Sequence, residues 1–298
     1  MICVLGAEWK RVRSVLNPTF SSVKIKQMSP IVHGCVDTLM EILEERCCNG
    51  QPVDMLKLAQ GYSLDVITKC AFAWQVDCQR NPNDPLLLGV RKIFEEAEHP
   101  AVQNAIRFPA LRYLFTALYW ISDYYKVTQH IISNLRQLIA LRRRDRKIRA
   151  TDMVQIMLEA QEGGDAAVTA ESPRGKDVRL IEDRHVLSNA FIFMAAGFET
   201  TATSLGFIMY LLATHPEEQE RLYSEVRHAL QDVEEELSYD RVHQLKRLDM
   251  FIHEALRIYP PVVLFVTRKC EKDTTVMVSK CRAVSVRKLL SASEAAER

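Results

Sequence analysis

The sequence predicts a mainly α fold with a small β part near its C-terminal end. Apolar residues recur at helical spacing through most of the 298 residues, and strand-like runs of β-branched residues occur only after Pro261. Pro18, Pro216 and Pro260 mark predicted helix boundaries, because Pro starts helices well and cannot continue them. With 48% apolar and 26% charged residues, the chain has the composition of a soluble globular protein.

Turn signals divide the first half of the chain into helices. A short basic helix over 8–16 is predicted to end before Asn17-Pro18. The segments 22–45 and 54–72 each carry an apolar stripe with a period of 3.6 residues. The run 81–85, rich in Asn and Pro, predicts a turn. Further helices are predicted over 86–97, 124–144 and 151–161.

The second half of the chain contains the longest apolar helix. A loop rich in Gly, Ala, Ser and Thr is predicted over 161–176, and the long helix follows over 182–214. A new helix is predicted over 216–230, since Pro216 occupies its first position and acids fill its first turn. The remaining predicted elements are a helix over 247–258 and strands over 262–268 and 274–278.

Charge and cysteine content exclude several classes of protein. The formal net charge is +1, so no global electrostatic case exists for nucleic acid or a membrane. The basic run 142–147 lacks interleaved aromatic residues, and a solvated helix end explains it better than a nucleic-acid patch. None of the eight cysteines forms a C-x-x-C pair, so we predict reduced thiols and no metal ligand set. The N-terminal residues do not form a signal peptide.

An acid and two hydroxyls interrupt the longest apolar helix. Glu199, Thr200 and Thr201 follow Ala196-Gly197 and have apolar neighbours on both sides. Burying a charge without a partner is expensive, so Glu199 must pair, stay protonated or face a cavity. The helix is long enough to span a membrane, but the acid favours a core helix. The pattern predicts a site where a bound molecule lies across the helix.

Three motifs in the same order resemble the cytochrome P-450 superfamily. Ala-Gly-x-Glu-Thr-Thr occurs at 196–201, within the long helix. Glu254 and Arg257 form Glu-x-x-Arg and precede an aromatic-Pro-Pro sequence. Trp9 and Arg13 fit the W-x-x-x-R helix of the superfamily. The resemblance implies the cytochrome P-450 fold, present here in incomplete form.

Two longer stretches narrow the resemblance. The segments 9–22 and 210–216 are similar to microsomal members related to the 3A subfamily and to thromboxane synthase. The expected domain organisation is a partial cytochrome P-450 domain over 1–278, followed by a tail over 279–298 that does not resemble the family. Polar composition predicts disorder in that tail.

The resemblance implies a haem cofactor. In the family, the Trp and Arg of the first motif and an Arg on a later strand bind the haem propionates. Trp9, Arg13 and Arg268 match these positions, and their N–H groups are suitable donors. Ala196 and Gly197 are expected, because both residues are small, to leave space beside the long helix where the porphyrin lies. From residue type alone, solvated basic side chains explain Arg13 and Arg268 more simply.

Glu199 and Thr200 match the family's acid–alcohol pair. Oxygen must receive two protons before its O–O bond breaks, so the resemblance implies a hydrogen bond from Thr200 and a proton relay through Glu199. A solvent-facing polar cluster is the alternative. Glu254 and Arg257 match a structural pair that does no chemistry. On residue type alone they would form an ordinary surface ion pair, but their apolar flanks predict burial.

The implied substrate is a lipophilic small molecule. Phe191, Val263, Leu264 and Phe265 match regions that contact substrate in the family, although core packing explains each of them equally well. The aromatic stretch 108–125 resembles the membrane-facing region above the substrate channel. The family also implies electrons from NADPH-cytochrome reductase and a location on the cytosolic face of the endoplasmic reticulum. No membrane anchor is recognised, which leaves peripheral membrane contact or a cytoplasmic location, and no nucleic-acid partner is expected.

The family's haem-ligating loop, Phe-x-x-Gly-x-Arg-x-Cys-x-Gly, does not occur in the sequence. Neither Cys270 nor Cys281 has the required glycines around it. Because a thiolate ligand enables this iron to cleave oxygen, we expect a truncated chain that is inactive alone. Three interpretations stay open: a haem-thiolate monooxygenase, a non-catalytic isoform that binds or regulates, and a haem isomerase of the thromboxane synthase type. Such isomerases tend to lose the acid–alcohol pair, which argues against the third.

Overall fold

The computed structural model describes residues 6–97, 123–144, 152–162, 181–230 and 238–262, and four short strands between 267 and 288. The first helices are α1 (Gly6–Leu16), α2 (Ser22–Cys48), α3 (Met55–Phe72) and α4 (Pro85–Ala97), with a 3₁₀ turn at Asn17–Phe20. The later helices are α5 (Asp123–Arg144), α6 (Met153–Glu162), α7 (Asp183–Thr214), α8 (Pro216–Leu230), α9 (Tyr239–Val242) and α10 (Lys246–Ile258). The predicted mainly α class is confirmed.

The strands form two separate antiparallel ladders. β1 (Thr267–Lys269) pairs with β4 (Val286–Lys288), and β2 (Thr274–Val276) pairs with β3 (Ser279–Cys281). Two-stranded ladders of this length are marginal on their own. The ladders alone therefore do not establish the predicted small β part, which stays a prediction. The assignment of 279–298 to a tail also stays a prediction.

Local hydrogen bonds explain where the central helices begin. Asp54 caps α3 by accepting from the backbone N–H of Lys57, at 3.1 Å. Glu182 and His185 form a reciprocal capping box at the start of α7. The Glu225 carboxylate of α8 accepts from the first backbone N–H groups of α10, at 2.9 and 3.0 Å. This last cap is supplied by a neighbouring helix, so it links α8 to α10.

α3 and α7 form the most extensive helix pair in the described part of the chain. Phe198 of α7 is fully buried and lies against Phe94 of α4, with ring centroids 5.9 Å apart. Ser63 of α3 donates to the Phe198 carbonyl oxygen at 3.0 Å. By length and composition, α7 resembles a membrane span, a test that core helices of soluble proteins also pass. α7 therefore packs mainly on α3, and the Phe94 ring of α4 reaches it at Phe198.

A buried carboxylate anchors the segment that follows α3. Asp65 is fully buried, and it accepts from the backbone N–H groups of Cys78 at 2.7 Å and Gln79 at 3.4 Å. The side-chain amide of Gln79 donates to the same carboxylate at 3.2 Å. Burial raises the pKa of Asp65 above its ordinary value. Asp65 thereby ties the 78–79 backbone to α3.

The basic run at the end of α5 is only partly solvated. Arg142 is 5% exposed and donates to Asp152 at 2.9 Å and to the Phe72 carbonyl oxygen at 3.0 Å. Arg143 is exposed and pairs with Asp183 at 2.6 Å. The expectation of a solvated helix end is therefore wrong for Arg142, which joins α5 to α6 and α3. Residues 145–147 lie outside the described residues.

Candidate functional site

Glu199 is half-buried and held by donors from two helices. Gln60 Nε2 of α3 donates to Glu199 Oε2 at 3.3 Å, and Thr203 Oγ1 donates to Oε1 at 3.4 Å. One partner lies across the helix interface and the other lies one turn further along α7. The predicted need for partners is met by hydrogen bonds, which offset the cost of partly burying a carboxylate.

The neighbouring hydroxyl is engaged within its own helix. Thr200 Oγ1 donates to the Ala196 carbonyl oxygen at 2.7 Å. Its lone pairs stay available to accept a further hydrogen bond. Because Glu199 is bonded to Gln60 and Thr203, the acid and the alcohol use different partners. Thr200 is half-buried, while Ala196 is exposed, so this side of α7 presents a small side chain to its surroundings.

Gly197 serves the packing of α3. A Cβ atom added to Gly197 would lie 3.0 Å from Cδ1 and Cγ1 of Ile67, closer than most side-chain contacts. The absence of a side chain therefore lets Ile67 approach α7. The direction of this missing side chain is toward α3, and the expected role of Gly197 beside a porphyrin stays a prediction. Of the two small residues, only Ala196 lies on the open side.

Trp9 and Arg13 lie one helical turn apart on α1. The Arg13 guanidinium carbon lies 5.4 Å from the centroid of the Trp9 ring, a cation–π distance. Arg13 is exposed, and no carboxylate in the described ranges pairs with it. Val12 is buried on the core side of the same helix. The two predicted propionate ligands therefore form one outward-facing pair, whose positive charge has no carboxylate partner among the described residues.

Side-chain contacts attach α1 to the first turns of α7. His185 Nε2 lies 2.8 Å from Glu8 Oε1, and His185 Nδ1 accepts from the Glu182 backbone N–H at 3.0 Å. Because Nδ1 accepts, Nε2 carries the proton and donates to Glu8. The rings of Phe20 and Phe193 lie 5.5 Å apart, just beyond the end of α1. The structure thus brings the W-x-x-x-R helix to the helix that carries Glu199.

Glu254 and Arg257 form the predicted ion pair, with two 2.7 Å hydrogen bonds. The Arg257 hydrogen bonds lower the pKa of Glu254, and the Glu254 hydrogen bonds raise that of Arg257. The predicted burial is wrong: the Glu254 and Arg257 side chains are 54% and 70% exposed. The reason is that α10 turns another face inward, where Ala255 is buried.

Aromatic rings link the end of α10 to α7. Tyr259, at the end of α10, stacks on Phe207 with centroids 4.5 Å apart and an interplanar angle of 5°. Tyr210 meets the same ring edge-on at 6.3 Å. Offset stacking of this kind adds to the free energy of burying the rings. The helical period of α7 places Phe207 and Tyr210 near one side. This spacing is the sequence signal that could have revealed the contact.

The remaining predicted site residues are Phe191, Arg268 and the segment 263–265. Phe191 is half-buried and packs against the hydrophobic core, the alternative left open by the sequence. The backbone of Arg268 lies in β1, and its side chain lies outside the described residues. Val263, Leu264 and Phe265 also lie outside them. Within the described ranges, no three His, Cys, Asp or Glu side chains cluster closely enough to bind a metal ion.

Comparison with known proteins decides the family. The family model for Cytochrome P450 matches residues 1–278. This chain belongs to the cytochrome P450 family. Curated relatives of this cytochrome P450 include Cytochrome P450 3A6 of Oryctolagus cuniculus, 34% identical over 271 residues, and Cytochrome P450 3A7 of Homo sapiens, 33% identical over 270 residues. Each match covers 90% of this chain and 52% of the relative, so the chain spans about half the length of the curated relatives it matches.

Family membership implies a haem cofactor, and part of the predicted site suits one. Arg13 offers an exposed cation without a carboxylate partner in the described ranges, as a haem propionate requires. Ala196 offers a small side chain on the exposed side of α7, against which a flat group could lie. Gly197 does not contribute to that surface. Trp9 and Arg13 on α1, and Ala196 on α7, are therefore chemically suited to the cofactor, and Thr200 lies one turn from Ala196 on α7.

Proposed function

We propose that this cytochrome P450 is part of a haem-dependent monooxygenase. It hydroxylates a lipophilic small molecule with O₂, using electrons from NADPH-cytochrome reductase. The observation that carries this proposal is the Glu199–Thr200 pair on α7, within a chain that matches the family over residues 1–278. The proposed location is the cytosolic face of the endoplasmic reticulum, with peripheral membrane contact.

In this proposal, Trp9 and Arg13 bind the carboxylate groups of the haem. Arg13 does so through charge-assisted hydrogen bonds, and Arg268 is a third proposed donor. Haem supplies the iron chemistry that activates oxygen. The roles of these residues are positional: they fix the cofactor beside α7, where Ala196 leaves room for it.

Thr200 and Glu199 supply protons in this proposal. A hydroxyl rotates freely about its C–O bond, so Thr200 can leave the Ala196 carbonyl oxygen and donate outward to an oxygen atom or a water molecule. The Glu199 carboxylate accepts a proton and releases it toward the same region. Both groups lie near the middle of α7, which fixes their spacing.

Glu254 and Arg257 are proposed to act structurally, because their bidentate pair is complete without a ligand. Phe191, Val263, Leu264 and Phe265 are the proposed substrate contacts.

One substitution tests the proton-delivery role in the complete haem-loaded enzyme of which this chain is proposed to be part. Thr200→Ala should lower the fraction of consumed oxygen that appears in product several-fold, because the proton donor is lost. Thr201→Ala is the matched control, since Thr201 is an exposed hydroxyl at the adjacent position on α7. The fraction is obtained from an oxygen electrode and product chromatography. Equal fractions in the parent protein and the Thr200→Ala variant would contradict the proton-delivery role of Thr200, whereas product formation without oxygen consumption would favour a haem isomerase.

A spectrum tests the cofactor assignment on this chain. Purified protein supplied with haem should show a haem absorption band, and replacing Arg13 with Ala should weaken haem binding more than replacing the exposed Arg11 does. The reduced-plus-CO difference spectrum then reports whether a thiolate binds the iron. Equal haem affinity in the Arg13 and Arg11 variants would refute the propionate role of Arg13.

A further inference from the structure

A continuous line of hydrogen bonds leads from α4 through α3 to Glu199. Arg91 Nε of α4 donates to Gln60 Oε1 of α3 at 2.7 Å. Gln60 Nε2 then donates to Glu199 Oε2 at 3.3 Å. Arg91 is itself fixed, because its Nη2 donates to the Lys57 carbonyl oxygen at 3.1 Å. All three linked side chains are half-buried, so their partners are drawn from a limited set.

The chemistry of the three groups determines the orientation of the amide. A guanidinium can only donate, and an ionised carboxylate can only accept. Gln60 must therefore turn its oxygen toward Arg91 and its nitrogen toward Glu199. Among neutral side chains, an amide meets both demands because it carries an acceptor and a donor on one planar group. Gln60 thus lies between the Arg91 guanidinium and the Glu199 carboxylate and bonds to both.

Separate partners hold Glu199 and Thr200. One carboxylate oxygen is bound across the interface by Gln60 and the other by Thr203, while Thr200 bonds to Ala196. Arg91 also lines a cleft of about 390 Å³ that opens between α2 and α3. The far end of the hydrogen-bond line, at Arg91, therefore borders this cleft.

We propose that Gln60, braced by Arg91, is a positioning residue that holds the Glu199 carboxylate toward α3. The catalytic part of this proposal rests on the proposed function, because Gln60 acts only through Glu199. The held position is the one from which Glu199 delivers protons, and misplacing a catalytic group by about 1 Å can lower a rate by about two orders of magnitude.

An isosteric substitution separates positioning from packing. Gln60→Glu keeps the size of the side chain and its bond to Arg91, but presents a carboxylate oxygen to Glu199 in place of an N–H donor. We expect Gln60→Glu to lower the denaturant midpoint of the 298-residue chain. The double variant Gln60→Glu, Glu199→Gln should recover that loss, because it restores one donor and one acceptor with their order reversed.

The matched control is Gln155→Glu. Gln155 Nε2 donates to Glu159 at 3.1 Å, the same type of bond, on the exposed surface of α6. Solvent screens that pair, so the midpoint should change little. Failure of the double variant to recover the midpoint, or an equal loss in the Gln155→Glu control, would overturn the proposal.

Oxygen coupling in the complete haem-loaded enzyme that contains this chain supplies a readout that packing alone does not move. Gln60→Glu should lower the coupled fraction several-fold in the parent protein and have no further effect in the Glu199→Gln background. Normal coupling in Gln60→Glu, together with impaired coupling in Glu199→Gln, would refute positioning and leave the proposed function standing. Normal coupling in Glu199→Gln would refute the proton relay, and the midpoint cycle alone would then decide whether Gln60 positions Glu199.

Discussion

Replacing Asp65 with Ala should strongly destabilise this cytochrome P450. The substitution removes the acceptor for the Cys78 and Gln79 backbone N–H groups, which bond to it at 2.7 and 3.4 Å. Leaving one buried donor unsatisfied costs about 1–3 kcal/mol, so two give a loss of about 4 kcal/mol. Asp65→Asn should lose about half as much, since its oxygen still serves Cys78 while its NH₂ group faces the Gln79 donors.

The effect of Asp65 should also depend on pH. Burial raises the pKa of Asp65 in the folded protein, so the folded state retains a proton that the unfolded chain has already released. Unfolding then releases a proton, and the stability that Asp65 contributes falls as pH rises from its ordinary pKa through the raised value. Asp65→Asn has no such proton. Its loss of stability relative to the parent protein should therefore be largest at the acidic end of that pH range.

Guanidinium unfolding followed by circular dichroism, at several pH values, measures both effects. Asp54→Ala is the matched control on the same helix, because its carboxylate caps α3 at an exposed position. Loss of that cap should cost about 1 kcal/mol. If Asp65→Ala destabilised the protein no more than Asp54→Ala, or if the difference between the parent and Asp65→Asn grew with pH, the reasoning would be refuted.

Two further substitutions test the packing around α7 and the end of α5. Gly197→Ala should lower the free energy of unfolding by about 1–3 kcal/mol, because the new Cβ presses on Ile67. Adding Ile67→Val should recover part of this stability in denaturant unfolding. An unchanged stability of Gly197→Ala would contradict the close packing. Arg142→Met should cost about 3–5 kcal/mol because it leaves the buried Asp152 carboxylate without its partner, while Arg143→Ala at an exposed pair should cost less than about 1 kcal/mol. Equal midpoints for the two arginine variants would show that burial does not distinguish them.

The local elements of this protein follow from short-range signals. The helix periodicity of 54–72 and the Pro at position 216 predicted α3 and α8 close to their observed bounds, because these signals act within a few turns. The acid–alcohol pair and the W-x-x-x-R helix could be recognised for the same reason. Family membership followed from three such motifs in order, and the match over 1–278 confirms it.

The partners of the site residues could not be predicted in this way. Gln60 is 139 positions from Glu199 in sequence, and no local pattern links the two. Arg142 looks like any other member of a basic run until α6 and the end of α3 surround it. Apolar flanks predicted burial of Glu254 and Arg257, yet α10 turns a different face inward.

The sequence alone therefore determined the helical class, the helix boundaries, the motifs and the family of this cytochrome P450. Each of these depends on residue type and spacing along the chain. Only the tertiary structure decided which side of α7 is open, that Gly197 admits Ile67, and that Gln60 and Arg91 hold Glu199. The physical reason is that burial and hydrogen-bond partners depend on which helix faces come together in space, and helical periodicity leaves that choice open.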